Sequence, residues 1–356
     1  MLEEPDADWF DTVTGAESPP ELTTIAPEYA VVHEGLEVRR YTGLTPDTPY
    51  ERDGFAFTTL PEPGAHLVTF ATINDVHFGE VEAGIISGSD IGPTFRTPEG
   101  HVPYPEMMNR SAVAEMATID PAVVIVKGDL TADGREDQYE TFLSVYEPVF
   151  GDRLYATRGN HEAYNNARFA AEPFRSIDLP GVTLAIFDTA IDGETHGTVS
   201  AEQLAWLDDL AADADRTVLV FGHHHLGDPD SREKADQSFG LDLAASAEFL
   251  ALVSRRPRIR GYFAGHTHRN RVRHFAPSGD VPWVEVASAK DYPGVWAEYR
   301  VHEQGILQIV HRTSSPEALV WTEKTRHMYA GTYHDYAFGS LTDRCFAISH
   351  VAGGGA

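Results

Sequence analysis

Five short blocks carry the residue types that bind metals or move protons: Asp75-Val76-His77, Gly128-Asp129, Gly159-Asn160-His161, Gly222-His223-His224-His225 and Gly265-His266-Thr267-His268. Asp, Asn and His offer the oxygen and nitrogen donors that suit divalent transition metals of intermediate hardness. Residues two apart in extended chain face the same way, so Asp75 with His77, and His266 with His268, can each present two donors to one side. Asp129 has two carboxylate oxygens and can bridge two ions; Asn160 offers a neutral carbonyl and His223 an imidazole. Asp75, His77, Asp129, Asn160, His223, His266 and His268 are too many for one site with an open position and suit two. Two ions about 3.5–4 Å apart can hold a shared hydroxide and clamp the attacking and leaving oxygens of a phosphoryl group. Any lone His is more often a hydrogen-bonded core or surface residue than a ligand. The recurrence of the pattern, not any single dipeptide, carries the chemistry.

Such blocks need rigid elements behind them. Each follows an apolar, β-branched run that reads as a buried strand: Leu67–Ile73, Val123–Val126, Leu154–Thr157, Val218–Phe221 and Ile259–Ala264. Amphipathic stretches at Glu106–Thr118, Arg135–Phe150, Ser200–Ala212 and Leu241–Arg255 read as helices, and Ser200-Ala-Glu-Gln203 has a capping-box pattern. Strands alternating with helices predict an α/β layered domain with ligands at the strand ends. After His268 the pattern changes to Arg271–Phe275, Val281–Ala287, Val295–Val301 and Ile306–His311, expected as antiparallel strands of a second sheet packed on the first. Three parts follow: residues 1–64, an acidic segment with a small β appendage; 65–314, the catalytic domain; and 315–356, a C-terminal cap or interface. In the first, Leu44-x-Pro46-x-Thr48-x-Tyr50 resembles the tyrosine corner of a fibronectin type III sandwich, although only about half of such a roughly 100-residue domain fits. The Gly-, Pro- and Ser-rich insertion from Gly79 to Tyr104 is long enough to expect a rim or lid at the site.

Bulk properties narrow the partners. The net charge of −28 over 356 residues disfavours nucleic acid and anionic membranes, which need a basic face. No apolar run reaches the roughly 20 residues of a membrane span, and the first residues lack signal-peptide character, so a cytoplasmic address is expected. Cys345 stands alone, which rules out an intrachain disulfide. The aromatic-rich segment Ser315–His350 is a candidate interface for a homo-oligomer, or a substrate cover.

The five blocks, in this order and each after a strand, resemble the calcineurin-like metallophosphoesterases over roughly residues 66–312. The resemblance implies a four-layer αββα sandwich of two mixed sheets. It implies that Asp75, His77 and His268 bind one ion, that Asn160, His223 and His266 bind the second, and that Asp129 bridges. The family usually shows Pro where His225 stands, which leaves the choice among His223, His224 and His225 open; His223, first after the glycine, is favoured. The resemblance also sets His161 against the substrate phosphate, to stabilise the transition state or protonate the leaving oxygen, with Asn160 helping to hold the transferring group. Glu162 replaces the family's usual Asp. Asp188 reads as a strand-end cap or as an acid orienting a ligand His. Within a local excess of arginines, Arg269 is a candidate for the substrate phosphate. The chain is most similar to class III cyclic-nucleotide phosphodiesterases and glycerophosphodiesterases, implying hydrolysis of small phosphodiesters such as 3′,5′-cyclic AMP by a metal-bridging hydroxide. Alternatives are a phosphomonoesterase of the purple-acid-phosphatase kind, a nuclease, and lastly a binding module with structural metals. The donors accept Mn, Fe or Zn.

Overall fold

The computed structural model describes residues 18–86, 88–232 and 239–350. The acidic start of the N-terminal part and the closing glycine run lie outside the described residues. In chain order the elements are β1 (Glu21–Ile25), β2 (Tyr29–Glu34), β3 (Glu37–Thr42), β4 (Pro49–Arg52), β5 (Phe55–Thr58) and β6 (His66–Ile73). Then come α1 (Tyr104–Ala117), β7 (Val124–Lys127), α2 (Glu136–Phe150), β8 (Leu154–Thr157), α3 (Asn160–Tyr164), β9 (Phe174–Leu179), β10 (Val182–Phe187) and α4 (Ala201–Asp213). They are followed by β11 (Thr217–Phe221), α5 (Leu243–Arg255), β12 (Ile259–Ala264), β13 (Arg271–Arg273), β14 (Trp283–Glu285), β15 (Val295–His302) and β16 (Gly305–Arg312). The chain closes with α6 (Pro316–Thr325), α7 (Met328–Gly331), α8 (Tyr333–Ala337), α9 (Leu341–Arg344) and β17 (Cys345–Ser349).

Two six-stranded mixed sheets form the centre, in the orders β17-β16-β15-β6-β7-β8 and β13-β14-β12-β11-β10-β9. Their inner faces meet in a core that includes Phe70, Ile125, Leu184, Phe221, Phe263 and Tyr299. Phe70 and Tyr299, paired across β6 and β15, stack with centroids 4.6 Å apart. The outer faces are covered by helices. Ala112, Met116, Phe142 and Tyr146 of α1 and α2 pack on the first sheet, and Leu204, Leu207, Phe249 and Val253 of α4 and α5 on the second. The layers therefore run helix, sheet, sheet, helix, because each sheet is apolar on both faces and must be covered on both.

The four strands expected to form a second sheet of their own are instead split. β14 runs parallel to β12 and β13 pairs with it, whereas β15 returns to the first sheet beside β6. The pairing of β15 with β6 fills the edge of a strand whose C-terminal half is fully buried, which local sequence pattern cannot reveal. The capping box at Ser200 forms, with Gln203 N donating to Ser200 Oγ at 3.2 Å and Ser200 N to Gln203 Oε1 at 2.7 Å.

The N-terminal strands are not free-standing. Leu22, Ile25, Val32 and Phe57 share a core with Leu307, Ile309 and Cys345 of the first sheet. The tyrosine-corner contact is present, Thr45 N donating to Tyr50 Oη at 2.9 Å. At the other end, Trp321, Met328 and Tyr333 pack with Tyr104, Met108 and Tyr292, and β17 extends the first sheet. No helix among the described residues is long and apolar enough to cross a membrane.

Candidate metal centre

The strands deliver their polar residues through unusual backbone. Asp75, His77, Asp129, His266 and His268 all have positive φ, between 47° and 67°. Left-handed conformation at a non-glycine residue costs on the order of 1–3 kcal/mol and persists only where the surroundings enforce it. Here the turns enforce one another. Asp75 N donates to Gly128 O at 3.2 Å, His77 N to Asp129 O at 2.9 Å and Gly265 N to His223 O at 2.9 Å. His266 N donates to both Asp75 carboxylate oxygens, and His161 N to Asp129 Oδ1 at 3.0 Å. The glycines of two blocks are required by close approach: a Cβ on Gly159 would collide with the Asp129 carboxylate, and one on Gly265 with that of Asp75.

The side chains so aimed converge. Donor atoms of Asp75, His77, Asp129 and His268 lie within 4.8 Å of one another, and so do those of His223, His224 and His266. Asp129 Oδ2 sits between the groups, 3.4 Å from His77 Nε2 and 3.4 Å from His223 Nε2. His268 Nε2 is 3.3 Å from Asp75 Oδ1, and Asn160 Oδ1 is 3.0 Å from His223 Nε2. His77 Nε2 and His266 Nε2 are buried without a hydrogen-bond partner among the described residues. Buried polar atoms are almost always paired, so a cluster of unpaired imidazole nitrogens around buried carboxylates fits bound cations. Electrostatics agree. Burial and the Lys290 ammonium push the His77 imidazolium down, yet contacts with Asp129 and Glu80 hold it up at about 10. Burial likewise lowers His223, and the Asp129 carboxylate overrides it to about 9. The carboxylates thus draw positive charge to the centre, which metal ions would supply by displacing those protons.

The family model for calcineurin-like phosphoesterases matches residues 68–270, more than half of the chain. The chain belongs to that family. It is similar to a cAMP/cGMP dual specificity phosphodiesterase of Mycobacterium tuberculosis, 28% identical over 200 residues, covering 52% of this chain and 58% of the relative. It is also similar to a 3′,5′-cyclic adenosine monophosphate phosphodiesterase of Vibrio vulnificus, 27% identical over 218 residues (54% and 75%). A glycerophosphodiester phosphodiesterase of Enterobacter lignolyticus is 27% identical over 170 residues (42% and 56%). The chain thus spans little more than half the length of the first and last of these. Among solved structures, a dimetal phosphatase from Danio rerio superposes with TM-score 0.53 at 16% identity, covering 70% of this chain and 97% of that one, a likeness of fold.

Within this calcineurin-like phosphoesterase, His223 and His224 differ in what their rings touch. His223 Nδ1 lies 2.8 Å from Lys127 O, which turns Nε2 to the centre. Both nitrogens of His224 are engaged, Nδ1 by Thr189 Oγ1 at 2.9 Å and Nε2 by Thr195 O at 3.2 Å. Proximity groups His224 with His266, but its ring nitrogens meet Thr189 and Thr195, whereas His223 Nε2 faces Asn160 Oδ1 and Asp129 Oδ2. Burial lowers the His225 pKa to about 4, an effect that the charge of Glu285 opposes. His161 Nδ1 lies 2.6 Å from Ala132 O, leaving Nε2 on the Asp129 side, 4.0 Å from Oδ2. Glu162 links two of the turns: its carboxylate accepts from Thr131 N and Gly159 N, both at 2.8 Å. Asp188 pairs with Arg158 at 2.7 Å and accepts from Ala190 N, bracing a strand end. The Arg269 guanidinium donates to the buried Glu285 at 2.9 Å and lies over the Tyr336 ring.

Other contributors carried no motif. Glu80 Oε2 is 3.1 Å from His77 Nδ1, and Lys290 Nζ joins Glu80 at 2.9 Å to Asp291 at 3.1 Å. A carboxylate on the far nitrogen of a ligand His fixes its orientation and basicity. The sequence signal was thin: Lys290 is one of only four lysines, and Glu80 follows His77 by three residues.

Proposed function

We propose that this chain hydrolyses small phosphodiesters, with 3′,5′-cyclic nucleotides the leading candidates, at a centre of two divalent cations. Asp75, His77 and His268 would hold one, Asn160, His223 and His266 the other, with Asp129 shared. The observation that carries the reading is Asp129 Oδ2, equidistant at 3.4 Å from imidazoles of the two groups, with His77 Nε2 and His266 Nε2 buried and without a hydrogen-bond partner among the described residues. Two such cations lower the pKa of water and neutralise phosphoryl charge. The chain's own groups do the rest. Asn160, its amide donating to Tyr164 Oη at 3.0 Å, is held in place beside His223. His161, anchored through Nδ1, offers Nε2 at the mouth of the centre, where it can hold or pass a proton at the leaving oxygen. Glu80 keeps His77 oriented.

Charge supports a diester over a monoester. The cavity beside the centre is lined by Glu80, Glu82 and Asp133 against Lys290 and Arg96. That lining is a poor host for a dianion and a better one for the single charge of a diester. The names of the relatives, phosphodiesterases all, point the same way. The N/O donor set suits manganese, iron or zinc. The same reading places the protein in the cytoplasm and gives nucleic acid no part, since a net charge of −28 repels a polyanion. The test is initial rates on bis-p-nitrophenyl phosphate, p-nitrophenyl phosphate and 3′,5′-cyclic AMP after stripping metal and restoring Mn, Fe or Zn. Metal-dependent diester turnover is expected. A preference for the monoester would replace this reading with a phosphatase.

A further inference from the structure

The cavity that opens from the metal centre has a volume of about 490 Å³ and two kinds of surface. His77, His161, His268 and Lys290 make a polar floor. Val81 and Ile85, from the insertion after β6, also line it, and they are 70% and 60% exposed. Tyr329, from the C-terminal segment, lines it too. Single exposed aliphatic residues are ordinary; two β-branched side chains and an aromatic ring at the mouth of a charged centre are the composition of a ligand wall.

The backbone behind Tyr329 is unusual. Tyr329 (φ 56°, ψ 56°) and Ala330 (φ 56°, ψ 30°) are consecutive left-handed residues, neither of them glycine. Such conformations persist where packing enforces them and cluster at ligand sites. Here the insertion does the enforcing: Ala330 N donates to Gly92 O at 2.6 Å, and Ala83 is buried against Met328 in a shared core. The Tyr329 ring is braced edge-on by Tyr333, with centroids 5.2 Å apart. Two segments that contribute no residue to the seven-donor set thus cooperate to hold one aromatic ring in the cavity.

We propose that Tyr329, with Val81 and Ile85, forms a specificity wall that takes a flat aromatic substituent of the phosphoester while the phosphoryl group sits on the polar floor. The inference rests on the proposed reading for the position of the phosphoryl group. A ring so placed gains apolar burial and aromatic contact that an alkyl ester of the same charge does not.

The test avoids turnover. Calorimetry on the manganese-loaded protein compares methyl(phenyl)phosphinate with dimethylphosphinate, both monoanions like a diester and both with P–C bonds that cannot be hydrolysed. Wild type is expected to bind the phenyl compound at least about tenfold more tightly, the size of one aromatic contact with its buried area. Tyr329→Ala should cut that ratio to within about threefold, and Tyr329→Phe should keep it, because the face of the ring supplies the contact. Ile85→Ser lies at an exposed position where the fold is insensitive, and should reduce the ratio even if Tyr329→Ala fails to fold. Equal affinities in wild type, or an unchanged ratio in either truncating variant, overturns the wall. Binding of neither phosphinate overturns the wall together with the reading beneath it. A phenyl preference lost in Tyr329→Ala, in a protein that turns over no diester, upholds the wall and overturns the diesterase reading alone.

Discussion

Two of the buried charge clusters among the described residues behave in opposite ways. In the candidate metal centre, His77 Nε2 and His266 Nε2 are buried without hydrogen-bond partners among the described residues, and five of the seven proposed ligand residues sit in left-handed backbone. In the second cluster, Glu21 meets Arg312 at 3.1 Å and Arg326 at 2.7 Å, Glu323 meets the same two arginines at 2.8 and 3.0 Å, and Tyr292 Oη donates to Glu21. That knot joins the first strand to α6 and the residue after it; its carboxylates are all paired, and Arg312 Nε is the atom left over. Buried charge therefore does not mark a functional site by itself. Unpaired atoms held in strained turns do, because only a bound group can compensate them. A fully paired knot is a staple.

The difference makes opposite demands of mutation. Asp129→Ala should lower kcat/KM on bis-p-nitrophenyl phosphate by at least about 10³-fold, ~4 kcal/mol of barrier, with the circular dichroism spectrum retained. Arg312→Met should do the reverse. It leaves two buried carboxylates short of a partner, which costs about 3–5 kcal/mol of stability, read as a lower urea midpoint, while activity per folded molecule persists. If Arg312→Met instead abolished activity in folded protein, the distinction between centre and staple would fail.

A third cluster sharpens the rule through pH. Burial pushes the Glu285 carboxyl up, but His225, Arg269, Arg271 and Arg273 hold it down at about 2. A carboxyl depressed on folding contributes stability that is complete above its unfolded value, about 4.3, and lost as pH falls through the folded one. Glu285→Gln should therefore flatten the decline in stability between those values, removing on the order of 3 kcal/mol of pH dependence. An unchanged acid limb would show that the three arginines do not hold the charge. The smallest effect is expected from Glu80→Gln, which weakens the orientation of His77. Manganese affinity should fall about 10–100-fold with little change in the urea midpoint, and a titration showing no loss would separate Glu80 from the centre.

Most of the proposed ligand set was legible because metal chemistry demands particular residue types. Packing alone gives no reason for Gly-Asp, Gly-Asn-His and Gly-His-x-His to follow apolar runs, and the glycines recur since a Cβ on Gly159 or Gly265 would strike a carboxylate. The layered α/β architecture followed from alternating periodicity. Less legible were residues whose role depends on a distant partner. Arg269 stood beside His268 in sequence, yet its guanidinium goes to Glu285 of β14. Glu80 and Lys290 carry no motif and meet only because β6 and the turn before β15 lie together. The short strand β17 has no clear pattern; it is a strand because β16 offers an edge.

The sequence alone thus pointed to the phosphoesterase family and the layered class, since donor types and hydrophobic period are local properties of the chain. Tertiary structure decided the rest: how the rings of His223, His224 and His225 divide their contacts, how the late strands divide between two sheets, and which segments line the cavity. Those outcomes are set by contacts between residues as distant as Glu80 and Lys290, or Gly92 and Ala330, and no local pattern encodes the closing of such contacts.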